Sequence, residues 1–233
     1  MLKTLALKEL RETAGIAVVA LAVYFYIVAS AMNVNLQRAI SMLPGLGRLT
    51  RYWMLYPGQE YAIPFVGGGF QSNFTFISVC LAIALGFRQS VGESVRGTYP
   101  FLLHRPMGRQ RLLGTKLAVG AVVCLVCSAV PVLVYAWWAA TPGTHASPFE
   151  WSMTVPTWKV WISVPILYLG AFLSGIRSAR WKGTRLVPLA ATGVLAMTIP
   201  HLPWWSICGL GAVVLVDVLL VYSIFFAART RDY

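Results

Sequence analysis

Few side chains in this sequence are of a type and spacing to do chemistry. Asp217 lies inside the apolar run GAVVLVDVLLVYSIFF. A carboxylate in hydrocarbon costs about 3 kcal/mol on insertion scales and ordinarily faces a bundle interior or a partner. Two readings of Asp217 stand side by side: a translocation or other functional polar site, and a structural acid that is neutral or hydrogen-bonded to a neighbouring hydroxyl. Thr192 and Thr198 are the candidate partners. Cys124 and Cys127 form C-x-x-C, but within VGAVVCLVCSAV, where a thiol packs as a small apolar side chain. Gly108–Lys116, GRQRLLGTK, has the wrong spacing for a phosphate loop, and Thr115 precedes the lysine instead of following it. His104, His145 and His201 fall in three separate connections with no carboxylate at ligand spacing. No zincin, nucleophile-elbow or dinucleotide-binding pattern occurs. The expectation is therefore no catalytic residue, no metal and no cofactor in this chain.

The elements that would position these residues are set by composition. Of 233 residues, 58% are hydrophobic and 11% charged, and mean hydropathy is +0.70. A soluble domain carries about 25% charged residues, and a disordered chain is polar and poor in aromatics; both classes are excluded. A span needs about 20 mostly apolar residues. Six stretches qualify, at about 14–34, 69–87, 117–140, 160–176, 186–200 and 207–228. The fifth, bounded by Pro188 and Pro200, is short, so a tilted or re-entrant element is an alternative. Lys3 and Lys8 before an apolar run, with Ala29-Ser30-Ala31 after it, resemble a secretory signal. Glu9, Glu12 and the length of the run favour an uncleaved first span.

The formal net charge of +12 would suggest nucleic acid in a soluble protein. Across six spans it sorts by side instead. Lys3, Lys8, Arg11, Arg88, Arg96, Arg105, Arg109, Arg111, Lys116, Arg177, Arg180, Lys182, Arg185, Arg229 and Arg231 fall on one side, and Arg38, Arg48, Arg51 and Lys159 on the other. Lysine and arginine collect in cytoplasmic loops, so both termini are expected in the cytoplasm, with no nucleic-acid partner. Trp137, Trp138, Trp151, Trp158, Trp161, Trp204 and Trp205 cluster near the outer ends, as interfacial anchors do. The chain reads as one all-α transmembrane domain. Residues 1–13 form an amphipathic segment, 35–68 an outer loop with short surface helices, and 88–116 a cytoplasmic loop.

That cytoplasmic loop is the most informative segment. Ser90 followed by Glu93 is a capping-box pattern from which a helix can start. Leu102 and Leu103 are apolar residues among six cations, and exposed leucines there ask for a partner or a membrane surface. The run Glu93-x-x-x-Gly97-Thr98, Leu102-Leu103, Pro106, Arg109 and Lys116 resembles the E-x-x-x-G-T … L-L-x-x-P-x-x-R … K pattern of type-2 ABC transporter permeases. In that family the pattern forms a coupling helix between the second and third spans. LALKELRET at the N-terminus looks like the family's connecting helix. Two features depart from the family: the longest outer connection follows the first span, and Pro100 sits within the expected coupling helix.

The resemblance implies a permease subunit of the plasma membrane that moves a substrate when driven by a separate cytoplasmic ATPase, which holds ATP and Mg. It implies a second copy or a sister permease, contact with membrane lipid, and a docking surface made of Glu93, Arg96, Gly97, Thr98, Leu102, Leu103, Pro106 and Arg109. The alternative is a non-transporting membrane anchor or assembly subunit that recruits a soluble partner through the same loop. An intramembrane enzyme built on Asp217 and an outer histidine is a third reading, disfavoured because no paired acid and base is visible.

Overall fold

Apolar side chains that recur at helical spacing make helices here, and the buried faces follow that spacing. Along the first helix Leu5, Glu9, Thr13, Ala20, Tyr24, Val28 and Ala31 are buried, one stripe recurring every three to four residues. The computed structural model describes residues 2–32, 63–66, 69–95, 109–143, 148–177 and 182–229. The described residues form helices joined by turns, with no strand among them. The main helices are α1 (Leu2–Ala31), α2 (Gly69–Val95), α3 (Arg109–Ala140), α4 (Val155–Ile176), α5 (Lys182–Thr198) and α6 (Leu210–Arg229). Short turns occupy Trp151–Thr154, Ile199–His201 and Trp205–Gly209.

Among the described residues five stretches are long and apolar enough to cross a membrane: Lys3–Ala31, Gly69–Val91, Gln110–Ala140, Trp151–Ile176 and Trp205–Arg229. The fifth expected stretch is helical, but α5 has 17 residues, short of the usual span. The chain is thus an all-helical, multi-pass membrane protein.

The most buried helix is α4, and the others assemble around it. Its residues from Ile166 to Phe172 and from Ser174 to Ile176 are buried. Small residues bring the neighbouring backbones close. A Cβ placed on Gly86 of α2 would lie 2.6 Å from the Ala171 Cβ and 2.8 Å from the Tyr168 carbonyl oxygen. One turn along, Gly175 meets Ser90, and on the opposite side Gly170 meets Thr192 of α5. Lipid tails are as apolar as leucine, so helix association within a bilayer relies on such close packing. The last turn of α4 leaves carbonyls without intrahelical donors. Arg185 supplies them, donating from Nε to the Ser174 carbonyl (3.1 Å) and from Nη2 to the Gly175 carbonyl (2.7 Å).

The end of the bundle where α1 and α3 finish is closed by aromatic rings. Phe65 has φ +62° and packs its ring 4.6 Å from Tyr135 and 5.3 Å from Phe70, while Phe70 and Tyr135 lie 4.5 Å apart. A left-handed conformation is costly for a bulky residue, so the ring contacts hold it there. Trp137, Trp151 and Trp204 are exposed, as anchors would be. Trp161 is not merely an anchor, because its indole N–H donates to the Leu125 carbonyl of α3 at 2.9 Å. Lys159 Nζ lies 5.6 Å from the Trp205 ring centroid, tying the start of α4 to the turn before α6.

One expectation is corrected. No helix starts at Ser90; α2 runs through it to Val95, and the Ser90 hydroxyl donates back to the Gly86 carbonyl at 2.7 Å. Ser90 is buried against Gly175, and that packing overrides its capping preference. Cys124 and Cys127 are free thiols buried in the core. Of the outer loop, only residues 63–66 are described.

The α2–α4 crossing gives a direct test. Gly86→Ala forces two backbones apart and is expected to destabilise by about 1–3 kcal/mol, the usual cost of overpacking. Gly193→Ala meets open space and gains helix propensity of about 1 kcal/mol. Thermal unfolding of both variants in detergent should move in opposite directions.

Candidate functional site

The segment singled out by sequence lies between α2 and α3. Glu93 falls near the end of α2 and Arg109 begins α3. Arg96, Gly97, Thr98, Leu102, Leu103 and Pro106 lie outside the described residues, and so do His104 and His145. About one to two turns into α2 from Val95 and into α3 from Arg109 lies a polar cluster, built by four helices.

Lys116 follows Arg109 by seven residues, about 10 Å along α3 at 1.5 Å per residue. It is not a loop cation. Its side chain is 1% exposed, and its Nζ lies 3.2 Å from Glu9 Oε1 of α1, also 1% exposed. Glu9 is on the buried stripe of α1, where the Thr13 hydroxyl donates to the Glu9 carbonyl at 2.9 Å. Glu12 lies off that stripe and pairs with Lys8 at the surface, 3.6 Å away. Exposed i,i+4 pairs contribute about 0.3–0.5 kcal/mol, so Glu9–Lys116 is the consequential pair.

Gln89 of α2 lies four residues before Glu93. The Tyr168 hydroxyl of α4 donates to Gln89 Oε1 at 2.5 Å and also approaches the Lys116 carbonyl at 3.5 Å. The space for this exists because residue 120 of α3 is glycine. A Cβ there would collide with the Tyr168 hydroxyl and the Gln89 amide. At the same end of the bundle, Arg229 at the end of α6 donates to Gln110 at the start of α3, with that amide turned to accept. Glu9, Gln89, Lys116 and Tyr168 thus join α1, α2, α3 and α4 at one level. The arrangement offers no nucleophile beside a base. What it does is link α1 to α3 and α2 to α4.

Sequence reading missed Glu9, Gln89 and Tyr168 as a group and took Lys116 for a loop charge. The signal for Glu9 was its place in the stripe Leu5, Glu9, Thr13. No comparable signal marked Gln89 or Tyr168, because their pairing spans 79 residues.

Asp217 faces the bundle, between Val213 and Ile224, which are the buried residues of α6. Its Oδ1 is buried without a hydrogen-bond partner among the described residues. Thr192 and Thr198 do not supply one. Thr192 donates to the Pro188 and Leu189 carbonyls, and Thr198 to the Val194 and Leu195 carbonyls. Among the described residues no group of three or more histidines, cysteines or carboxylates could hold a metal ion.

Removing one partner of a buried ion pair costs about 3–5 kcal/mol, whereas replacing both by apolar groups is often neutral. Glu9→Leu and Lys116→Met are each expected to destabilise by that amount. The double variant should recover most of the loss. A double-mutant cycle by thermal unfolding in detergent measures this, and simple additivity would show that the pair is uncoupled.

In comparison with known proteins, the chain matches no protein-family model, no curated protein and no solved structure.

Proposed function

We propose that this chain is the membrane-spanning permease subunit of an ATP-driven transporter, with the 96–108 segment docking on a cytoplasmic ATPase. The observation that carries this reading is the polar cluster beneath that segment. A docking loop is useful to a transporter only if its movement reaches the spans, and Glu9–Lys116 and Gln89–Tyr168 join four helices next to both loop ends. The resemblance of residues 93–116 to the type-2 ABC permease pattern supplies the partner class. Movement in such a protein is a shift between packed arrangements, not a continuous deformation.

In this reading the chain has six spans and both termini in the cytoplasm. Helix α5 with the turn Ile199–His201 covers 20 residues, about 32 Å at helical and 3₁₀ rises. That suffices for a hydrocarbon core of about 30 Å. Its exposed Leu186, Val187, Val194 and Leu195 suit a lipid-facing helix. Helix α6 exposes Val214, Leu215, Val218, Leu219, Tyr222 and Phe226, a face open to lipid or to a second permease copy.

The test is co-purification. The wild-type chain, extracted from its native membrane, should carry a soluble ATPase with it. Leu102→Asp should remove the ATPase from the complex while the chain still elutes as a folded species. Retention of the ATPase by Leu102→Asp, or its absence from the wild-type preparation, would sink the assignment.

A further inference from the structure

The outer half of the bundle contains a cavity of roughly 140 Å³ between α2, α4 and the end of α5. With about 30 Å³ per liquid water, it has room for about four waters or one small polar group. Gln71, Ser72, Thr75 and Ser78 line it from α2, Ser163 from α4, and His201 from the turn after α5. This is a hydroxyl-rich wall within two helices long and apolar enough to span a membrane. Polar side chains there face the bundle or a water-filled space and mark pathways or ligand sites.

The chemistry of the wall narrows the ligand. No aspartate, glutamate, lysine or arginine lines the cavity among the described residues, so nothing there neutralises a fixed charge. A bare charge in such a place is costly. Thr75 and Ser163 spend their hydroxyl protons on carbonyls of their own helices, Gln71 at 2.7 Å and Lys159 at 3.0 Å. A hydroxyl that has donated retains acceptor lone pairs, so these two positions present acceptors. Ser78 is held in place by a 2.6 Å hydrogen bond shared with Tyr24 of α1. Gln71 and His201 also offer N–H donors, so the complement of such a wall is a neutral group that both donates and accepts, as hydroxyls do. Met197 lines the cavity and is also 45% exposed, and Val194 on the same helix is exposed. The cavity therefore opens toward the outer face of α5, where an acyl chain can lie.

We propose that this cavity takes up the terminal hydroxyls of the neutral polyhydroxyl headgroup of a lipid-like amphiphile, entered from the side of α5. The site is independent of the ATPase docking surface, and its test does not require the ATPase. The chain would be reconstituted in phosphatidylcholine nanodiscs doped equally with monoglucosyl-diacylglycerol and phosphatidylglycerol, then released and examined by native mass spectrometry. The expected result is retention of the glucolipid at least ten-fold above phosphatidylglycerol. Thr75→Val, which removes an acceptor at nearly constant volume, should lower retention several-fold. Ser163→Leu, which fills the cavity, should abolish it. Thr75→Val keeps the test decisive if Ser163→Leu fails to fold. Equal retention of both lipids, undiminished glucolipid binding by Thr75→Val, or displacement of the glucolipid by millimolar free glucose would overturn the proposal.

Discussion

The ion pair between Glu9 and Lys116 is the constraint on which the inner half of the bundle depends. Surrounding lipid is as apolar as the helix stripes, so apolar contacts alone do little to fix how far one helix has slid along another. A carboxylate and an ammonium, each 1% exposed, do fix it. Sliding α1 by one turn, about 5.4 Å, would leave both charges buried and uncompensated. The pair thus contributes register more than net stability, because desolvation consumes much of the attraction. The 30-residue helix α1 is about 45 Å long, well beyond the hydrocarbon thickness, and its first third is held against α3 by this contact.

The rest of the fold uses different physics at each depth. Near the inner end, polar contacts link α1 to α3 and α2 to α4. Further along, Gly86 against Ala171 and Gly170 against Thr192 allow backbones to approach α4 from two sides. At the outer end, Phe65, Phe70 and Tyr135 stack into one cluster, and aromatic pairs of this kind contribute about 0.5–1.5 kcal/mol beyond area burial. The consequence is a bundle whose central helix touches nearly every neighbour. Helix α4 carries Tyr168 at one level and Ser163 at the cavity, with Pro165 between them.

Much of this was legible in the sequence, for physical reasons. Apolar runs of span length dictate helices in lipid because no other backbone arrangement satisfies its own hydrogen bonds, and five of the six expected stretches have the required length. The positions of Trp137, Trp151 and Trp204 followed from the same logic. What escaped was pairing. Lys116 looks like the other cations of its loop until Glu9 is brought beside it, and Gln89 is an ordinary polar residue until Tyr168 arrives. Ser90 and Glu93 carry a helix-start pattern, yet a local hydrogen-bonding preference of about 1 kcal/mol is outweighed when the helix packs through that position. The contact of the Trp161 indole N–H with a carbonyl 36 residues away escaped for a similar reason.

The distribution of polar groups with depth also bears on what such a bundle can pass or hold. Charges that pair do so near the inner end. The outer cavity has hydroxyls, an amide and His201 but no permanent charge. Between them the buried face of α6 carries a single acid, Asp217. A neutral hydrogen-bonding group could exchange water for Ser72, Thr75 and Ser163 at modest cost, since each lost hydrogen bond has a replacement. A strongly charged group there would find no counter-charge in the cavity wall, since among the described residues none of the lining side chains is an aspartate, glutamate, lysine or arginine. The polarity of the wall therefore favours a neutral occupant of the cavity over a charged one, and it does so through the placement of a few side chains.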